Sequence, residues 1–192
     1  MIIYIINRDK RKDRLECIKS ELLRMGLNGK RFSAIEGGWR GCAASHITLL
    51  DQHKNEEQLC ILEDDCLFIE DINPYMYQSI EQLPTDWDML MLGGSPRKPQ
   101  VKYSENLFCA NGVYTSHAIL WHTRKGGAVE YILSHKKDVQ KWDVYLATVI
   151  QPLFNCYMTD PLICTQKEGF QSDTCRRADV STIQKNFNAF CK

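Results

Sequence analysis

The chain has no surplus of either charge: 24 lysines and arginines balance 24 aspartates and glutamates. Proteins that coat a polyanion usually carry a basic excess, so nucleic acid is not an expected partner. None of the nine cysteines forms a C-x-x-C pair, which argues against a structural zinc finger or ribbon. No apolar run approaches the ~20 residues needed to cross a bilayer. Met1 to Ile6 is too short for a secretory core and charges follow it at once. The expectation is a chain without a transmembrane segment, with peripheral membrane contact left open. Repeats, low-complexity tracts and linkers are missing too, so residues 1–192 read as one domain. There is no GxxxxGK phosphate loop, no GxGxxG and no GxSxG elbow. This counts against a nucleotide hydrolase or phosphotransferase and against a serine hydrolase.

The odd cysteine count, with several thiols inside apolar runs, reads as free cysteine packed as a small hydrophobe. That usage points to a reducing compartment, and the expected location is the cytoplasm.

The densest chemistry lies at Leu59 to Asp65. Leu59-Cys60-Ile61-Leu62 has the pattern of a short buried strand, and Glu63-Asp64-Asp65 stands at its end. Adjacent carboxylates repel, so the cluster costs stability unless a cation neutralises it. On an extended segment Glu63 and Asp65 face one way and Asp64 the other, and two carboxylates on one side can hold Mg²⁺ or Mn²⁺. The competing reading is a solvated acidic turn.

Strands and helices alternate along the chain. Ile2–Ile6 reads as a strand buried on both faces. Asp9–Met25 reads as an amphipathic helix stopped by Gly26, Phe32–Ile35 as a short strand and Gly41–Lys54 as a second helix. A third helix starts at Asn73-Pro74. Asp88–Leu92 is a strand ended by Gly93-Gly94. Residues 95–108 are polar and read as a mobile loop. Val113–Trp121 reads as one strand, with helices over Gly126–Leu133 and Val144–Ile150. This alternation predicts an α/β fold with a mostly parallel central sheet flanked by helices, and ligands beyond the carboxyl ends of its strands.

Arg8, Arg11 and Arg14 would share a face if the first helix began by Arg8, forming an anion site at its N-terminus. A solvated face balanced by Asp9, Asp13 and Glu16 is the alternative. From the residues alone, His46 reads as a hydrogen-bonded structural histidine. Asp143 reads as a base or as a helix N-cap.

In order along the chain, Ile3-Tyr4-Ile5-Ile6-Asn7-Arg8-Asp9, Phe32-Ser33-Ala34-Ile35-Glu36-Gly37, Gly41-Cys42-Ala43-Ala44-Ser45-His46, Ile61-Leu62-Glu63-Asp64-Asp65, Trp87-Asp88, Ser116-His117-Ala118, Trp142-Asp143 and Pro161-Leu162 with Gln166 resemble glycosyltransferase family 25. That family includes lipooligosaccharide and collagen-modifying enzymes. The resemblance implies a single GT-A-like domain and a nucleotide-sugar donor, usually a UDP-sugar. It also implies a glycan or glycoconjugate acceptor and inversion at the anomeric carbon. Asn7, Arg8, Arg11 and Arg14 would cradle the nucleotide, with Ser45, His46, Glu63 and Asp64 in the donor pocket. Asp65, with Glu63, would ligate Mn²⁺ or Mg²⁺. Departures from the family pattern, such as Arg8 in place of an apolar residue, bear on acceptor choice.

The expected reaction is a metal-dependent glycosyl transfer in which a carboxylate deprotonates the acceptor hydroxyl. Asp143 is the first candidate base and Asp88 the second. The alternative is a degenerate, non-catalytic module of the same fold that binds a nucleotide or glycan.

Overall fold

The computed structural model describes residues 1–69, 72–167 and 181–191. Its first strand, β1 (Ile2–Asn7), lies between two parallel neighbours, β2 (Lys30–Ser33) and β3 (Gln58–Glu63). Helix α1 (Lys12–Arg24) connects β1 to β2, and α2 (Trp39–Gln52) connects β2 to β3. The acidic turn after β3 leads into β4 (Cys66–Phe68) and then α3 (Ile72–Glu81).

The next strand of the main sheet is β5 (Met89–Met91). Residues 95–108, expected as a loop, instead carry strands: β6 (Ser95–Pro96), β7 (Val101–Ser104) and the start of β8 (Leu107–Cys109). Their polarity reflects an edge position. Val101 and Tyr103 on β7 face solvent while Leu107 and Phe108 on β8 are buried. The expected strand over Val113–Trp121 is two, β9 (Val113–Tyr114) and β10 (Ala118–His122). Thr115, at φ 72°, breaks it, since a β-branched residue in the left-handed region cannot continue a strand.

Helix α4 (Ala128–Ser134) follows. Then α5 (Trp142–Tyr145) runs through a π-helical turn, Leu146–Ile150, into α6 (Gln151–Leu153). Strands β11 (Cys156–Thr159) and β12 (Cys164–Gln166) and helix α7 (Ser181–Phe190) complete the described residues. The polar tail from Gly169, which the sequence left unassigned, lies outside them up to residue 180.

The main sheet has eight strands in the order β2-β1-β3-β10-β5-β11-β8-β7. Strand β10 is antiparallel to both β3 and β5, β11 is parallel to β5, and β8 is antiparallel to β11 and β7. Six of the eight strands therefore point one way, the expected mostly parallel direction, but β10 and β8 run against them, so the sheet is mixed, with three parallel and four antiparallel pairings.

Side chains alternate between its two faces as the pleat requires. Leu59, Ile61, Ile119 and Trp121 pack with Leu49 and Leu50 of α2 and Ile132 of α4. Cys60, Leu62, Leu120 and Leu90 pack with Ile18 and Leu22 of α1 and Met76 of α3. Helix α1 begins at Lys12 rather than Asp9, because a backbone turn from Arg8 to Arg11 precedes it. Its buried stripe is Arg14, Ile18 and Leu22, three positions on one face at successive turns.

Candidate functional site

The carboxyl ends of β2, β1 and β3 lie side by side, because the register pairs Ile6 with both Phe32 and Glu63. A cleft of about 100 Å³ opens there. Its walls come from Ile6 and Arg8 after β1, Ala34, Ile35, Gly37 and Gly38 after β2, and Glu63, Asp64 and Asp65 after β3. Arg14, Cys42, Ser45, His46 and Gln166 close it. Pockets that engulf a whole drug-sized ligand run to ~300–1,000 Å³, so this one has room for a single small group. The Gly93-Gly94 strand end does not contribute. A side chain at Gly93 would meet the Cys164 carbonyl at 2.1 Å, so this turn is used for packing.

Arg14 is the centre of the acidic end. The α1 stripe carries it inward, and its Nη1 donates to Asp64 Oδ1 at 2.9 Å and to Asp65 Oδ2 at 3.2 Å. Asp64 also accepts from Asn7 Nδ2 at 2.7 Å, and Asn7 donates from the same nitrogen to the Arg11 carbonyl at 2.9 Å. Burial raises the Asp64 carboxyl above its usual range despite Arg14 and Asn7. Burial, reinforced by the charge of Glu63, lifts Asp65 further, to about 6, against the pull of Arg14. Gln166 Nε2 approaches both Asp65 oxygens at 3.5 Å.

Among the described residues, the three arginines expected to act together have different acidic neighbours. Arg8 donates from Nε to Glu36 at 3.0 Å, Arg11 pairs with Asp13, and Arg14 reaches the acidic turn. Arg8 and Arg14 line the cleft, and Arg11 does not. Their separation follows from the turn ahead of α1, which keeps Arg8 off the helix.

Helix α2 supplies the opposite wall. A Cβ at Gly41 would meet the Ile35 carbonyl oxygen at 2.1 Å, so only glycine lets the first turn of α2 press against the strand-end loop. Ser45 secures that contact. Its Oγ accepts from the Ile35 backbone N–H at 2.9 Å and donates to the Gly41 carbonyl at 2.7 Å. One residue on, His46 is fully buried, stacked on Trp142 at 4.9 Å between ring centres. Among the described residues neither ring nitrogen meets hydrogen-bond geometry, so the expected hydrogen-bonded structural histidine is buried as foreseen, with Glu63 as its polar neighbour.

His46 Nε2 stands 3.4 Å from Glu63 Oε1, and Ser116 Oγ donates to the same oxygen at 2.7 Å. Burial pushes the Glu63 carboxyl upward, but His46, Ser116 and His117 outweigh it and the net shift is down. Cys42, one helical turn before His46, completes a group whose ligand atoms lie within 4.8 Å of one another: Cys42, His46 and Glu63. Burial, then the charges of Glu63, Asp143 and Asp65, push the Cys42 thiol up. Cys42 was overlooked among nine cysteines. The signal for it was its four-residue spacing from His46 on a helix.

The two candidate bases have different fates. Asp88 immediately precedes β5, which runs parallel to β3, so it sits at the sheet edge opposite Glu63. It is fully buried and accepts from Arg124 Nη2 at 3.0 Å, the Ala128 N–H at 3.0 Å and the Asn155 N–H at 3.1 Å. Those bonds make it a structural cap of α4 and correct its assignment as a base. Asp143 lies in the first turn of α5, and the N-cap position belongs to Lys141. Its neighbour Trp142 stacks on His46, and its charge is felt at Cys42.

No family model matches the chain, and no curated protein matches it in sequence. Solved structures do resemble it. A197 from STIV superposes with a TM-score of 0.53 at 12% identity, over 86% of this chain and 84% of that one. A glycosyltransferase involved in the glycosylation of the major capsid of PBCV-1 superposes with a TM-score of 0.51, also at 12% identity, over 84% of this chain and 83% of that one. At such identity the likeness concerns the fold alone, a mixed α/β domain. Among the described residues no helix is long and apolar enough to cross a membrane.

Proposed function

We propose that the cleft binds the diphosphate of a nucleotide sugar, in keeping with the family 25 resemblance, and that the protein transfers the sugar with inversion to a hydroxyl of a glycan or glycoconjugate. The observation that carries this reading is the meeting of Arg14 with Asp64 and Asp65, beside Glu63, in the cleft where β1 and β3 end. Open α/β sheets bind ligands at this edge, and the enclosed space suits a phosphate better than a whole nucleotide. Asp143 is the base in this reading. It takes the proton from the acceptor hydroxyl as that oxygen bonds to the anomeric carbon, and the bond from that carbon to the diphosphate breaks. Arg8 and Arg14 stabilise the charge that develops on the departing diphosphate. Ser45 acts indirectly, by fixing the loop around Ile35. Glu63 and Asp65 offer hard oxygen donors on the cleft wall, a set that fits Mn²⁺ or Mg²⁺. Such an ion would neutralise the leaving group when bound. Free thiols at all eight described cysteines suit a reducing compartment such as the cytoplasm.

A screen of nucleotide sugars against simple glycan acceptors tests the reading. The expected result is release of nucleoside diphosphate from one donor, preferably a UDP-sugar, stimulated by Mn²⁺ and lost with chelator or in Asp143→Asn. Nucleotide binding in calorimetry without turnover on any acceptor would identify a binding module instead. Absence of any nucleotide binding would exclude both.

A further inference from the structure

We propose that Cys42, His46 and Glu63 form a thiolate-containing site for a divalent cation of the zinc class, distinct in chemistry from the oxygen pair Glu63 and Asp65. Three observations support it. Cys42 and His46 are one turn apart on α2 and share a face, the spacing by which one helix presents two ligands to one ion. Their ligand atoms and a Glu63 oxygen already lie within 4.8 Å of one another. A tetrahedral zinc with bonds of ~2.0–2.3 Å holds its ligands roughly 3.5 Å apart, so closure needs movements of about 1 Å. Finally, His46 is completely buried, and among the described residues its Nδ1 has no polar partner while its Nε2 meets the Glu63 carboxylate at 3.4 Å without hydrogen-bond geometry. A buried imidazole without a hydrogen bond is costly, and a metal bond would satisfy it. Trp142 holds the ring in place by stacking.

The donor set selects the ion. Thiolate and imidazole favour zinc, cobalt and their neighbours over magnesium, calcium or manganese. Three protein ligands leave a fourth position, as in zinc sites that take water or substrate. All three residues line the cleft, so that position faces the same space as the proposed diphosphate site. Glu63 belongs to both donor sets. An ion bound through Cys42 and His46 therefore withdraws Glu63 from Asp65, and zinc competes with Mn²⁺ at this cleft.

The experiment uses the full chain, reduced and stripped of metal, titrated with Co²⁺ and followed by absorption. One equivalent should produce a near-ultraviolet thiolate-to-cobalt band with visible bands of a four-coordinate ion, both removed by Zn²⁺. Cys42→Ser should abolish the thiolate band. His46→Gln should weaken Co²⁺ binding at least tenfold. Asp65→Asn should leave the spectrum intact. Circular dichroism checks that each variant is folded, and Cys42→Ala replaces Cys42→Ser if that variant does not fold. A thiolate band that survives removal of Cys42, or a wild-type titration without one, overturns the proposal. The readout needs no turnover, so it stands or falls separately from the transfer reading.

Discussion

Arg14 and Asp64 are 50 residues apart in the chain and form an ion pair of 2.9 Å, with side chains only 5% and 8% exposed. Removing one partner of such a pair leaves the other charged and buried, which costs about 3–5 kcal/mol. Arg14→Met should therefore lower unfolding free energy by roughly that amount, measured by urea denaturation. A loss below ~1 kcal/mol, the range of exposed pairs, would contradict this account of the acidic turn.

Asp65 gives the turn a pH dependence with a definite sign. Its carboxyl is lifted from 3.8 to about 6, first by burial and then by Glu63. A carboxyl that holds its proton more tightly when folded favours the folded state as pH falls through its folded value toward its unfolded one. In chelator, Asp65→Asn should melt at a higher temperature than wild type at pH 7.5. That advantage should fade between pH 6 and pH 4. An advantage that grows on acidification would reverse the assignment.

The two aspartates once paired as candidate bases should separate in a combined stability and turnover assay. Asp88→Ala deprives Arg124 and two backbone N–H groups of their acceptor, so it should destabilise the fold by several kcal/mol, since each unsatisfied buried group costs ~1–3. Asp143→Ala should change stability by less than ~0.5 kcal/mol, as partly exposed sites usually do. It should lower turnover by about 10²–10⁴-fold, the usual contribution of a general base. Full turnover in Asp143→Ala would end its candidacy.

Gly41→Ala tests the close approach of α2 to the strand-end loop. The added carbon meets backbone oxygen rather than a flexible side chain, so the helix must shift. Overpacking of this kind costs about 1–3 kcal/mol. The variant should melt lower and, because the shift separates α2 from Glu63, bind Co²⁺ more weakly. Unchanged melting and metal affinity would contradict the contact.

The fold was legible where burial writes itself into periodicity. The run Ile2–Ile6 announces a central strand, and Leu59–Leu62 announces its neighbour. The β7–β8 hairpin was not, because an edge strand keeps one face in water and its apolar residues are few. Thr115 hid a break that only backbone geometry displays. Within the site, the acidic turn was legible as a cluster of like charge. Its counter-ion was not: Arg14 sits in a basic run whose members look alike in sequence, and only the phase of α1 turns that one inward. Asp88 misled for a related reason. A carboxylate after a tryptophan looks the same whether it caps a helix or faces a substrate, and the distinction rests on which end of a parallel strand it occupies.

The sheet order has a consequence for biosynthesis. Strands β1, β2 and β3, both connecting helices and the ion pair of Arg14 with Asp64 all belong to the first 65 residues, whereas β10, which buries the open edge of β3, arrives only after residue 117. At ribosomal speeds of ~5–20 residues per second, synthesis of β3 precedes that of β10 by several seconds. Any β1–β3 sheet formed in that interval would present the flank of β3 as an unpaired strand edge, which β10 covers in the complete fold.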